Sequence, residues 1–423
     1  MSHTHAHGTD LDGPPRPLLA KVLAGIVGVV AVAVGIGVFI FWPSSDEIPQ
    51  DQNPYNAPGV SIIHATVTSS KPLECGSGGE GPDGLPEVAG KCATVDLVSS
   101  RGKGTLILDA ARAKTGVNAG DKIQVVRIAR DGQEPSYEFY DFQRGTPLVM
   151  LSLIFAVLVV AVARWRGLLA IVGIAVTLLV LTKFMLPAFL AGEDPLPVAI
   201  VGSTGIMLVV LYLAHGVSIR TTAALFGTLG GLAITAAFGA YATGWSNLTG
   251  VGSEDDQVLA AVAPLVDLHG VVAAAMVVAG LGVLNDVTVT QASAVWELRS
   301  AKPDASATEI FTSAMRIGRD HIASSVYTLV FAYAGSAMTI LLLIVAYQQS
   351  LLQIATTEQI AQEVVRTLVG AVGLVLAVPI TTLIAVALAP EARNRSLPLP
   401  SPTQPPGPLP GRRRALPQQK QDL

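Results

Sequence analysis

Eight stretches of this chain are apolar over enough length to cross the roughly 30 Å hydrocarbon core of a bilayer. They run approximately over 22–42, 147–164, 167–187, 197–214, 221–243, 268–290, 322–347 and 367–389. Lipid offers no water to backbone N–H and C=O groups, so runs of this kind must fold as helices that satisfy their own hydrogen bonds. Composition agrees: 14% of residues are charged, whereas a soluble domain carries about 25%. The first run follows Arg16 and Lys21, as a signal peptide would. Its apolar core of about 20 residues exceeds the usual 7–15, and FIFWPSS offers no A-x-A cleavage site, so it reads as a retained anchor.

Lysine and arginine set the expected orientation. With both termini cytoplasmic, the inner segments hold Arg16, Lys21, Arg164, Arg166, Arg220, Arg299, Lys302, Arg316, Arg319 and the run Arg412 to Arg414. The short outer loops then hold only Arg366, beside acidic Glu193, Asp194, Glu254, Asp255 and Asp256. The expected location is the cell membrane, crossed many times, with lipid as the main partner.

Between the first two spans lies a hydrophilic region, 43–146, large enough for a small domain. Its apolar runs are short and alternating: VSIIHATVT, CATVDLV, GTLILDA, DKIQVVRIA and SYEFYDF. Turn residues separate them, which predicts an antiparallel barrel or sandwich of five or six strands. Cys75 and Cys92 both fall here. Outside the cell they can form a disulfide closing a loop of about 18 residues, worth on the order of 3 kcal/mol. Two unpaired thiols are the alternative. The expected fold class is therefore an all-α polytopic membrane bundle of about eight transmembrane helices with a small β-rich extracytoplasmic domain.

The sixth apolar run continues without a break from LHGVVAAAMVVAGLGVLNDVTVT into QASAVWELR. Asp286, Thr290, Ser293 and Glu297 fall at i, i+4, i+7 and i+11, within about 60° of one another on a helix. A carboxylate at membrane depth costs roughly 2.5–3.5 kcal/mol on insertion scales, so it is expected in a bundle interior or wet cavity. Arg319, Asp320 and His321 stand where the seventh span enters the membrane on the same side. With Asn285 they complete the candidate substrate or ion path: Asn285, Asp286, Thr290, Ser293, Glu297, Arg319, Asp320 and His321. A salt bridge bracing two helix ends is the structural alternative, in which Asp286→Leu harms folding more than Asp286→Asn by orphaning Arg319.

Small residues recur at helical spacing: Gly227, Gly231, Thr235 and Gly239 on the fifth span, Gly370, Gly373 and Ala377 on the eighth, before Pro379. Such stripes let helices approach closely. A similar set, Ser325, Thr328, Ala332, Gly335, Ser336 and Thr339, marks the seventh.

The tails carry little chemistry. His3, His5 and His7 are weak candidate metal ligands on a flexible segment, and 390–423 is a Pro-rich tail expected to be disordered. No Walker A loop, H-E-x-x-H or G-x-S-x-G is present, so ATP hydrolysis, metalloprotease and esterase chemistry lack their usual groups. No cofactor is expected, the chain does not read as an enzyme, and no basic patch interleaved with aromatics suggests nucleic acid.

At NDVTVTQASAVWEL (Asn285 to Leu298), GRDHI (Gly318 to Ile322), AYAGSAM (Ala332 to Met338) and VRTLVGAVGLVLAVPITT (Val365 to Thr382), the chain resembles the YibE/F-like family of bacterial membrane proteins. The resemblance covers roughly 147–389 and implies a seven-helix membrane domain there, after a tail (1–21), an anchor (22–42) and the outer domain (43–146). The family resemblance implies a permease of unknown substrate. The residues leave three classes open: a secondary transporter, an envelope scaffold or signalling protein that pairs with itself or other envelope proteins, and a membrane-embedded enzyme.

Overall fold

The computed structural model describes residues 17–44, 55, 57–75, 90–130, 132–346, 348 and 350–390. The amino-terminal histidines, the Gly-rich 76–89 segment and the Pro-rich tail lie outside the described residues.

Five strands form one antiparallel sheet: β1 (Val60–Cys75), β2 (Gly90–Ser99), β3 (Gly102–Leu108), β4 (Lys122–Ile128) and β5 (Ser136–Phe142), in the order β3-β2-β1-β4-β5. Each of the five alternating runs read from the sequence falls on one of them. Alternation sends Val67, Val95, Leu97, Leu106, Ile123 and Val125 into one buried core. The edge strands β3 and β5 curl toward each other, and Gly104 lies under the Tyr137 ring where a Cβ has no room. A one-turn helix, α2 (Ala110–Ala113), capped by Asp109, connects β3 to β4. This connectivity is that of a five-stranded Greek-key barrel of the OB type. A disulfide joins Cys75 to Cys92, with their Cα atoms 5.6 Å apart.

The remainder is helical. The anchor is α1 (Pro17–Ile40), and α3 (Gly145–Val180) continues through a π turn at Leu181–Met185 into α4 (Leu186–Leu190). The long segment is broken at Arg164, whose φ of 53° and ψ of −131° are non-helical. Gly167 then packs against the Val159 carbonyl, which a straight helix would hold about 12 Å away. The break falls between the second and third expected spans.

Then come α5 (Pro195–His215), α6 (Ile219–Trp245), α7 (Glu254–Val262), α8 (Leu268–Ala301), α9 (Ala307–Ser336), α10 (Met338–Ala346), α11 (Leu351–Ala355) and α12 (Glu358–Leu388). Among the described residues, six helices are long and apolar enough to cross a membrane, or seven if α9 and α10 form one bent span. The expected seventh span is thus not straight: α9 and α10 meet at a 63° bend. Gly335 and Ser336 precede it, a pairing that commonly kinks helices, and the Ser336 hydroxyl donates to the Tyr333 carbonyl at 2.8 Å. Pro379, by contrast, sits inside an unbroken α12.

Helices α6, α8 and α12 pack on one another to form the centre; α5 flanks α8, α9 covers α8 and α12, and α1 and α3 lie against α5. Glycine sets the closest approaches. A Cβ at Gly231 would meet Leu284 at 2.7 Å and Ala377 at 2.9 Å, and one at Gly227 would collide with the Thr381 hydroxyl. Gly373 faces Thr235, whereas Gly370 faces open space. The expected stripe on α9 is not a packing face: Thr328, Ala332, Gly335, Ser336 and Thr339 are exposed.

Candidate functional site

Helix α8 runs unbroken from Leu268 to Ala301, so Asp286, Thr290, Ser293 and Glu297 do share one face. That face is open at its ends and half-covered between them: Asp286 and Glu297 are exposed, Thr290 and Ser293 are half-buried, and the Thr290 hydroxyl turns back to the Asp286 carbonyl at 2.7 Å. Arg319 and Asp320 are exposed and His321 is half-buried. Among the described residues the ion pairs involve neither Asp286 nor Arg319. The expected grouping of α8 and α9 side chains is therefore not assembled in this structure.

The reason is rotational. The α8 side chain that hydrogen-bonds to α9 is Gln291, five positions after Asp286 and so about 140° around the helix. Its amide donates to the Ala314 carbonyl at 3.0 Å and the Thr382 hydroxyl at 2.8 Å, with Gly318 closing over it. Asn285 presents a buried Oδ1 without a partner. Ser293 faces the other way, toward His215 at the end of α5 and Arg220 at the start of α6.

The threonine hydroxyls at the bundle centre are tied up, whereas Ser203 Oγ on α5 and Asn285 Oδ1 on α8 are buried without partners. Thr228 of α6 and Thr288 of α8 share a hydrogen bond of 2.6 Å. Thr235 donates to the Gly231 carbonyl at 2.9 Å, and Thr381 and Thr382 donate to carbonyls one turn back at 2.7 Å each. All five hydroxyls belong to fully buried residues. For these threonines the arrangement is interhelical packing with satisfied hydroxyls.

The open polar space lies elsewhere. A cavity of about 350 Å³ sits at the α9–α10 bend, lined by Ser253, Asp256, Ser336, Ala337, Ile340, Gln359, Gln362, Glu363 and Arg366. In its wall Arg366 donates to Glu363 at 2.6 Å. The pair leaves Glu363 Oε2 and Arg366 Nε buried without partners, an open acceptor beside an open donor. Asp256 is held by a capping box with Ser253. Below the cavity, Glu358 clamps the loop after α6, accepting from the Thr249 and Gly250 N–H groups at 2.6 and 2.8 Å. Two local features could have pointed here: the i,i+3 pair Glu363 and Arg366 just before the last apolar run, and Gly335-Ser336 within the seventh.

Among the described residues no cluster of three His, Cys, Asp or Glu side chains is arranged to hold a metal. His269 spends its Nδ1 on the Leu248 carbonyl at 2.7 Å. The outer face of β1–β3, with Ser69, Asp96, Thr105 and Lys103 outward, carries no aromatic platform of the kind that stacks single-stranded bases.

A bundle of long apolar helices bearing a small barrel defines the class: a multi-pass membrane protein. Residues 151–391, more than half of the chain, match the model of the YibE/F-like protein family, and the chain belongs to that family. No curated protein and no solved structure matches it.

Proposed function

We propose that this protein is a permease for a small polar solute, and that the cavity at the α9–α10 bend is its outward-facing binding space. The observation that carries the reading is the coincidence of a broken helix, a polar cavity and a charged pair with spare hydrogen-bonding capacity. Discontinuous helices at a polar cavity are a recurrent transporter device, because they release backbone and side-chain groups to meet a solute within the membrane. The α8 stripe from Asp286 to Glu297, exposed at both ends and half-buried between, would serve the path at the opposite end.

The proposal carries a topology with it. Counting the reversal at Arg164 as two passes and α9–α10 as one gives eight crossings, both termini in the cytoplasm, and the barrel and cavity outside. The basic side chains Arg164, Arg166, Arg220 and Lys302 then gather on the cytoplasmic side, as the positive-inside rule requires.

Labelling of single cysteines tests the reading. The chain has two cysteines, bridged to each other, so Ser336→Cys introduces a lone reactive thiol. A membrane-impermeant thiol reagent applied to intact cells should modify it, and should leave Thr228→Cys in the central belt unmodified. A Ser336→Cys thiol that reacts only after detergent extraction would remove the cavity from any transport path.

A further inference from the structure

The cavity at the α9–α10 bend carries a charge balance that selects among small polar solutes. Two of the segments that supply its walls, 246–267 after α6 and 347–366 leading into α12, hold six carboxylates: Glu254, Asp255, Asp256, Asp267, Glu358 and Glu363. Against them stands one guanidinium, Arg366, and no lysine. A concave space bordered mainly by one sign of charge gathers solutes of the other sign and turns away its own. Phosphate, sulfate and simple carboxylate anions are therefore disfavoured here.

Three of these charged groups line the cavity itself: Asp256, Glu363 and Arg366. Asp256 spends Oδ2 on the Gly252 and Ser253 N–H groups at 3.1 and 2.9 Å, which leaves Oδ1. Arg366 Nη1 donates to Glu363 Oε1 at 2.6 Å, and Arg366 Nε and Glu363 Oε2 have no partner. The two side chains are 22% and 28% exposed, so the pair forms part of the wall and does not lie beneath it. A spare donor thus stands beside a spare acceptor. Polar atoms left unpaired in a buried setting are costly, and a solute that pairs both relieves that cost. Gln359 and Gln362, also in the wall, each offer a donor and an acceptor.

We propose that the cavity takes an amino acid in its zwitterionic form. The solute ammonium meets Glu363 Oε2 and Asp256 Oδ1, and the solute carboxylate meets Arg366 Nε. An α-amino acid carries its ammonium and carboxylate on one carbon, side by side, as the Glu363–Arg366 pair offers acceptor and donor side by side. The volume of about 350 Å³ is near the small end of ligand sites, about 300–1,000 Å³, and suits a single amino acid better than a peptide. The assignment rests on the reading of this cavity as a permease's binding space, and the test separates the two.

Ser336→Cys places a thiol in the cavity wall. In purified full-length protein in nanodiscs, its rate of modification by the neutral reagent N-ethylmaleimide reports occupancy. L-alanine and L-lysine at saturating concentration should slow the reaction at least about threefold. Ethylamine, which keeps only the ammonium, should slow it less, and propionate, which keeps only the carboxylate, should not slow it. Glu363→Gln in the same background should abolish the effect of L-alanine, and Arg366→Gln should reduce it to that of ethylamine. Equal protection by propionate and L-alanine overturns the zwitterion assignment, as does equal protection by ethylamine and L-alanine. So does a freely reacting thiol that neither amino acid protects; in each case the cavity remains an open space. A thiol that stays unreactive in nanodiscs removes the permease reading as well. If the Gln variants do not fold, the order of the solutes on Ser336→Cys alone decides.

Discussion

The side-chain amide of Gln291 on α8 donates to the Thr382 hydroxyl on α12 at 2.8 Å, inside the bundle. The same nitrogen also reaches the Ala314 carbonyl of α9 at 3.0 Å, so one residue, 1% exposed, joins three helices. Gln291→Leu keeps the volume and loses both bonds. Interhelical hydrogen bonds in membranes average about 0.6 kcal/mol and reach about 1.7. The variant should therefore insert normally and melt several degrees lower in detergent. An unchanged melting temperature would mean the tie contributes nothing.

Close packing predicts a contrast between two glycines. Gly227→Val places a branched side chain on the Thr381 hydroxyl, between two central helices that cannot separate without opening their shared core. It should prevent recovery of folded protein. Gly370→Ala enters open space and should leave yield and melting temperature unchanged. Size-exclusion profiles of the two variants, side by side, check this; similar behaviour of both would contradict the packing described.

Much of this was legible in the residues and some was not. The five strands follow from period-two alternation, and the α6 and α12 contacts from glycine and threonine at helical spacing. The α8 stripe was legible as a face but not as a partner choice: spacing tells which residues share a side of a helix, not which way that side turns in the bundle. Gln291, 140° from Asp286 around the helix, therefore took the interhelical role expected of the carboxylate. The cavity escaped because it depends on a bend at Ala337 that brings α7, α10 and the start of α12 together, a non-local event with only Gly335-Ser336 and the Glu363–Arg366 spacing as local signs.

Acid should loosen the barrel through Asp96. The Ser69 hydroxyl donates to it at 2.6 Å and the Thr105 hydroxyl at 3.1 Å, and these bonds, Ser69 first, hold its carboxyl below the ordinary value. A carboxylate whose folded pKa is depressed contributes stability that is fully present above its unfolded pKa, about 3.9. That contribution is lost as pH falls through the lower folded value. Pepsin cleavage within residues 90–108 should rise as pH is lowered below about 4, and Asp96→Asn should flatten the rise. An equally steep dependence in the variant would place the acid sensitivity elsewhere.

Asp286 makes no ion pair and is exposed, so replacing it orphans no buried charge. Both Asp286→Asn and Asp286→Leu should express and melt close to wild type, within a degree or two on the scale of ordinary surface changes. A large loss confined to Asp286→Leu would instead restore the bracing role with Arg319.

If the cavity belongs to a permease, α10 must move about the bend at Ala337 relative to α12 to open and close it. Leu342 on α10 and Leu368 on α12 are both exposed and accept spin labels in the otherwise thiol-free chain. Pulsed dipolar spectroscopy of the Leu342→Cys and Leu368→Cys pair in lipid nanodiscs should give two distances, for cavity-open and cavity-closed forms. A single narrow distance in every condition would contradict the account and leave a rigid envelope scaffold.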